Sequence, residues 1–303
     1  YPLRSQTVFI DRSTIPKPMM LFNAAEVSLE HVAELIIGDV REEVWAEDVK
    51  RKPFRTGEGV DLYGYRAGDE VGKRGIESSM ESTLRGKRGE VVKHRNGEEL
   101  KRSMPVGGKD VSVTLDMKLQ AKIEAIMSYD FGLMQVQPWH GNTVLPEGTP
   151  LRGAVVVLDA LTSEVLAMVS TPALQDEHDV EGYPWLNRAA QGFYPPGSII
   201  KPLVLVSAMT DGKLQQGEEI ECVGHFFKHV KDAARCWIYR PKYNKQTHGK
   251  LKPVEAIARS CNIFFYELGS RLGFERLLAW LQNFGMSKPL SAALTNTEAS
   301  GTE

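Results

Sequence analysis

The strongest constraint on this 303-residue chain is a change of pattern near residue 110. Before it, the sequence is rich in charge and glycine, and a stretch such as "DVKRKPFRTGEGVDLYGYRAGDEVGKRGIESS" leaves few residues able to bury surface. After it, Val111, Val113 and Leu115 alternate with period two, and Leu119, Ile123 and Ile126 recur at helical spacing. The pattern predicts a loop-rich, extended module of small sheets and short helices over 1–110. A second domain with its own core follows over 111–303, the boundary falling at Val106–Asp110.

Within the second domain, 110–127 reads as a strand and then a helix, and 130–150 as a loop. "GAVVVLDALTSEVLAMVS" (153–170) is two β-rich runs around five turn-like residues, hence a hairpin. An apolar helix runs through "IIKPLVLVSAMTDG" to a stop at Asp211-Gly212, and further helices are predicted at Pro253–Arg259, Ile263–Leu272 and Phe274–Phe284. Strands followed by several helices make this an α+β domain, a sheet flanked by helices.

A formal net charge of −2 gives no long-range attraction to nucleic acid or anionic lipid, so no nucleic-acid partner is expected. No run approaches the roughly 18–20 apolar residues of a membrane-spanning helix, and the first residues do not read as a signal peptide.

Chemistry is concentrated at "QGFYPPGSIIKP" (191–202). If a helix starts at Ser198, Pro195-Pro196-Gly197 is the rigid turn that feeds it. The missing N–H of Pro202 then frees the Ser198 carbonyl and little else. Ser198 and Lys201, at i and i+3, share a face, while Ile199 and Ile200 turn inward. A partly desolvated lysine can take the serine proton, and the positive helix end favours the alkoxide, as nucleophilic acyl transfer requires. The plainer reading is a capping serine followed by a solvated lysine. "SCN" at 260–262 weighs against it, because Ser260 and Asn262 offer a proton relay and an amide on the same side.

Several stretches resemble class B penicillin-binding proteins, most closely the elongation-type penicillin-binding protein 2 group. They are "GKRGIESSMESTLRGKRGE" (72–90), "VTLDMKLQ" (113–120), the hairpin, "NRAAQGFYPPGSIIKP" (187–202) and "ARSCNIFFYELGSRLG" (258–273), in the family's order. The resemblance implies a penicilloyl-serine transpeptidase domain behind an N-terminal pedestal of dimerisation type. It implies D,D-transpeptidation of peptidoglycan stem peptides in cell-wall elongation and cell shape, with no catalytic cofactor. Ser198 would be the acylated nucleophile, Lys201 its general base, and Ser260 and Asn262 the second motif. β-Lactams would acylate the same serine. A SEDS-type membrane glycosyltransferase and other elongation-complex proteins are the implied partners, at an extracytoplasmic location.

Three departures accompany the resemblance. The family's third motif, Lys-Ser/Thr-Gly, does not occur in these 303 residues, which implies that the C-terminal part of the domain is missing. The family's anchor helix is expected before Tyr1. Met80 stands where the pedestal motif often has an aromatic, and Ser163 replaces a frequent turn glycine. A non-catalytic scaffold relative, and a serine β-lactamase or β-lactam sensor, are the alternative functions.

Cys222, Cys236 and Cys261 fall in one forty-residue window and, with His248, form C-x13-C-x11-H-x12-C. Three thiolates and an imidazole make a closed structural zinc set that would clip loop 214–252 to the Ser260 segment, and the resemblance supports metal-capable residues here. His225 and His229 with Cys222 and Cys236 form an alternative set, and a Cys222–Cys236 disulfide with Cys261 free is the other reading.

Overall fold

The computed structural model describes residues 5–15, 24–57, 59–140, 145–173 and 183–286. Their packing gathers those up to Phe193 into one compact unit and those from Tyr194 onward into a second.

In the first unit, β1 (Gln6–Asp11) pairs antiparallel with β2 (Ala24–Leu29), and α1 (Glu34–Ile37) follows. Short pairs come next: β3 (Val40–Arg41) with β6 (Val71–Gly72), β4 (Arg55–Thr56) with β5 (Gly59–Val60), and β7 (Glu90–Lys93) with β8 (Glu99–Ser103). Between them lie α2 (Ala46–Arg51), α3 (Gly75–Ser79) and α4 (Glu81–Leu84). Ile10, Val27, Val32 and Ile36 are buried in apolar clusters, and among the short pairs charged contacts join the segments. Arg74 donates to both oxygens of Asp39, at 2.7 and 2.9 Å, and Asp69 accepts from Arg85 at 2.7 Å and from Arg88. The buried carboxylate of Glu81 accepts from Tyr65 Oη at 2.7 Å. Gly75 sits at φ 62°, and a Cβ there would lie 2.4 Å from the Ile36 carbonyl, so this approach of α1 and α3 needs glycine.

The same unit holds α5 (Met117–Met127) and the hairpin of β9 (Gly153–Leu158) and β10 (Val165–Thr171). Asp116 caps α5, accepting from Lys118 and Leu119 N–H at 2.9 and 3.1 Å. Ser163 takes the left-handed conformation, φ 63°, that a glycine would fill more easily.

The helix marked by Leu119, Ile123 and Ile126 forms here, and the strand expected before it does not. No strand is assigned to Val111–Leu115, and α5 buries Gln120, Ala121 and Ala125 more deeply than Leu119, Ile123 and Ile126. The Gln120 amide donates to Met168 O and accepts from Met168 N, both at 2.8 Å, so a side chain occupies the edge of β10 where a strand would continue. Residues 114–116 meet β10 just before that point, through Thr114 Oγ1 to Val165 O and Asp116 N to Leu166 O. Of the loop predicted at 130–150, residues 141–144 lie outside the described residues, as does most of the polar loop after β10. The unit's last helix is α6 (Arg188–Gln191).

In the second unit, a 3-10 turn at Gly197–Ile200 runs into α7 (Lys201–Thr210). Then come β11 (Ile220–Cys222), paired antiparallel with β12 (Gly249–Leu251), and α8 (Pro253–Ala258), α9 (Asn262–Leu272) and α10 (Phe274–Asn283). Val204, Ala208, Leu251, Phe264 and Leu268 form its core, together with all three cysteines. Burying Phe264 or Leu268 stabilises by about 2–3 kcal/mol each. The helix stops fall where the glycines predict, at Asp211-Gly212 and at Gly273. Arg276 ties α10 to the end of α7 through Asp211, at 2.6 Å, and that hydrogen bond holds the Asp211 carboxyl down at about 2.

Candidate active site

Ser198 does not open an α-helix. It lies on the 3-10 turn, and its carbonyl accepts the Lys201 N–H, so Pro202 leaves it satisfied rather than free. The tighter turn aims the side chains differently from an α-helix. Ser198 is exposed, Ile199 points outward at 79% exposure, and of the two isoleucines Ile200 alone packs on the core. Lys201, at 8% exposure, is the buried member of the turn.

The second motif reaches Lys201 through the end of α8. The Ser260 N–H bonds Ile257 O, and the Cys261 N–H bonds Ala256 O, both at 3.0 Å, which is a Schellman motif. Such an end demands a left-handed residue, and Ser260 supplies it with φ 49° at a cost of about 1–2 kcal/mol relative to glycine. The hydroxyl is what that strain retains. Ser260 Oγ lies 2.9 Å from Ser198 Oγ and 3.0 Å from Lys201 Nζ.

Lys201 Nζ also donates to Ser260 O at 2.8 Å and to Asn262 Oδ1 at 2.7 Å. Its acceptors are therefore neutral. Burial lowers the Lys201 pKa, opposed by the negative character of the Cys236 and Cys261 sulfurs. The Asn262 amide is used at both ends: Nδ2 donates to Arg235 O at 3.0 Å, which engages one of its two N–H groups. Among the described contacts, the hydrogen-bonded order is Ser198, Ser260, Lys201, with Ser260 between nucleophile and amine.

Cys222, Cys236, His248 and Cys261 come together behind this cluster, their ligand atoms all within 4.8 Å of one another. All three cysteines are free in this structure, and among the described residues His225 and His229 do not join the group. His248 Nδ1 lies 3.4 Å from Cys236 Sγ and 3.7 Å from Cys222 Sγ, and the sulfurs of Cys236 and Cys261 are 4.0 Å apart. Ligands about 2.3 Å from a tetrahedral zinc stand about 3.8 Å from each other, so the residues fit that ion. Hydrogen bonding with Cys222 and Cys261 holds the Cys236 thiol far below its ordinary value, while Cys236 pushes Cys222 up, and Cys222 followed by Cys236 push Cys261 up. Cys261 is the middle residue of "SCN", so a bound metal would anchor the backbone between Ser260 and Asn262. Loop 214–252 is correspondingly not shapeless: β11 and β12 close its base, and a bridge joins His225 to Arg235.

The family described as penicillin-binding protein transpeptidase domain matches residues 153–303, and the penicillin-binding protein dimerisation domain matches 28–113. The peptidoglycan D,D-transpeptidase MrdA of Escherichia coli K12 is 32% identical over 244 residues, 74% of this chain and 34% of that protein. The crystal structure of Pseudomonas aeruginosa PBP2 in complex with WCK 5153 superposes with a TM-score of 0.56 at 25% identity, covering 83% of this chain and 48% of that one. PBP2 in its complex with MreC from Helicobacter pylori gives a TM-score of 0.60 at 23% identity, covering 88% and 47%. This chain thus spans about a third of the length of its curated relative.

Proposed function

This chain belongs to the penicillin-binding proteins of the transpeptidase type, and on that footing we propose that Ser198 is the nucleophile of a peptidoglycan D,D-transpeptidase. Residues to about 110 form its pedestal, and those from 111 belong to the transpeptidase domain. The observation that carries the reading is the run of hydrogen bonds from Ser198 Oγ through Ser260 Oγ to a buried Lys201.

Ser198 Oγ attacks the carbonyl of the penultimate D-alanine of a stem peptide, and the terminal D-alanine leaves. The Ser198 proton passes to Ser260 Oγ as that hydroxyl gives its own to neutral Lys201, reversing the donors of the resting arrangement. Protonated Lys201 keeps Ser260 O and Asn262 Oδ1 as acceptors. The reverse relay hands a proton to the departing amine, and an amine from a neighbouring stem then resolves the acyl-serine. The Ser198 N–H, at the start of the turn, supports the oxyanion. A β-lactam opens on the same serine.

Cys222, Cys236, His248 and Cys261 would hold a structural zinc ion, which supplies cross-linking of the loop to the Ser260 segment and takes no part in the acyl transfer. The natural setting is extracytoplasmic, alongside a SEDS-type glycosyltransferase and other elongation proteins; the complex of the Helicobacter pylori relative with MreC supports a partner of that kind.

Fluorescent penicillin tests the nucleophile: a full-length protein that carries this segment should bear a covalent adduct at Ser198, and its Ser198→Ala variant none. Equal labelling of the two would remove Ser198 from the reaction. Elemental analysis should find about one zinc per chain, and less than about 0.2 with oxidised thiols would defeat the metal assignment.

A further inference from the structure

Arg235 and Trp237, on either side of Cys236, make contacts that the thiol's place in the cluster leaves unexplained. Arg235 O accepts from Asn262 Nδ2 at 3.0 Å, Cys236 Sγ lies 4.0 Å from Cys261 Sγ, and Trp237 Nε1 donates to Arg259 O at 2.9 Å. Three consecutive residues are thus matched to 259–262.

We propose that Trp237 is a positioning residue for acylation: by holding the Arg259 carbonyl it fixes the left-handed backbone of Ser260 and so the place of the relay hydroxyl. The proposal deepens the acyl-serine reading and rests on it. A peptide unit is planar, so the Arg259 C=O and the Ser260 N–H turn together. Trp237 holds the first and Ile257 O the second. The following unit, Ser260 C=O with Cys261 N–H, is likewise held at both ends, by Lys201 Nζ and Ala256 O. Two pinned planes leave the dihedrals of Ser260 no freedom, which is how a serine stays at φ 49° against its own preference.

The Arg259 carbonyl is one of the last of α8, among the groups a helix end leaves without an internal partner. An indole is suited to it, since Nε1–H donates and accepts nothing. The ring is itself held, with Tyr243 edge-on at 5.7 Å and His248 at 5.8 Å between centroids. Trp237 therefore joins a residue of the thiol–imidazole cluster to the backbone of the relay serine.

The test replaces Trp237 by Phe and, separately, by 3-benzothienylalanine, which keeps the shape of the side chain and lacks only the N–H. Penicillin acylation of the full-length protein is resolved into a binding constant and a limiting rate, alongside zinc content and amide hydrogen exchange at Ser260 and Cys261. The limiting rate should fall about fivefold, equivalent to about 1 kcal/mol, with binding constant and zinc content unchanged and exchange faster at both amides. Wild-type rate and exchange in the isosteric variant would overturn the proposal, as would a rate loss matched by loss of zinc. If the unaltered full-length protein is not acylated at all, the acyl-serine reading fails by itself. Unchanged exchange then still refutes the role of Trp237, and faster exchange sustains it.

Discussion

The motif at 72–90 and the nucleophile cluster use charge in opposite ways. In the first, Arg74 meets Asp39, and Arg85 and Arg88 share Asp69, so every one of these cations faces a carboxylate. In the second, Lys201 is buried among hydroxyl, amide and backbone oxygens with no carboxylate partner among its hydrogen bonds. A matched cation is a structural fastener, whereas an ammonium that burial pushes toward neutrality can serve as a base. The limiting rate of acylation should accordingly rise with pH along an apparent pKa below 10.5, the ordinary lysine value, and a flat profile across that range would disconnect Lys201 from the relay.

The largest effect expected from breaking this contrast lies in the thiol cluster. A structural zinc contributes on the order of 10 kcal/mol to folding, so a strong chelator, or Cys236→Ser, should unfold residues 194–286 and leave the first unit folded. Calorimetry with and without chelator reads this directly, and two unchanged transitions would count against the metal. Next comes Ser260→Gly. Glycine relieves about 1–2 kcal/mol of left-handed strain, and the lost hydroxyl removes hydrogen bonds of similar net worth. The melting temperature should therefore stay within a few degrees while acylation falls by about 10²–10⁴. Retained acylation would mean that the serine is there for the fold.

On the scaffold side, Glu81→Ala should destabilise the first unit by about 1–3 kcal/mol, because it leaves Tyr65 Oη without its acceptor, while Arg85 loses a 3.6 Å ion pair and keeps Asp69 at 2.7 Å. Penicillin acylation kinetics in the folded protein should be unchanged. Glu81→Gln, which keeps an acceptor for Tyr65, should cost less, and thermal melts of the two variants order them.

Much of this was legible beforehand because it depends on local rules. Gly212 and Gly273 stop helices at the predicted places, and the β-rich run at 153–158 makes a strand. Ser198, Lys201, Ser260 and Asn262 are marked by residue type and spacing together with the family resemblance, and Cys222, Cys236, His248 and Cys261 are one of two ligand sets that the spacing allows beside a disulfide. What could not be read depends on partners distant in sequence. Gln120 looks like a surface residue until Met168 presents a strand edge to it. Ser260 gives no sign of a left-handed backbone, because the Schellman bonds that impose it belong to Ala256 and Ile257. The 3-10 turn at Ser198 is equally hidden, since proline and glycine permit an α-helical start just as well. Trp237 stood beside a conspicuous cysteine and carried no signal for the Arg259 carbonyl.

The smallest effect concerns the aspartates of the scaffold, and acid should separate the two regions in a set order. Burial raises the pKa of Asp39 and of Asp69, but hydrogen bonds from Arg74 and Arg88 outweigh it, so both lie below the ordinary 3.8. For a depressed carboxyl, the stabilisation is fully present above the unfolded value and is lost as pH falls through the folded one, so this part of the first unit weakens only below 3.8. Both pairs are partly open to solvent, which keeps the loss small. A zinc set responds earlier, since protons compete with the metal for thiolate and imidazole at higher pH. Hydrogen exchange followed down a pH series should show residues 194–286 opening first and residues 72–90 afterwards. The reverse order would mean that ion pairs, not thiols, are the acid-sensitive fasteners of this protein.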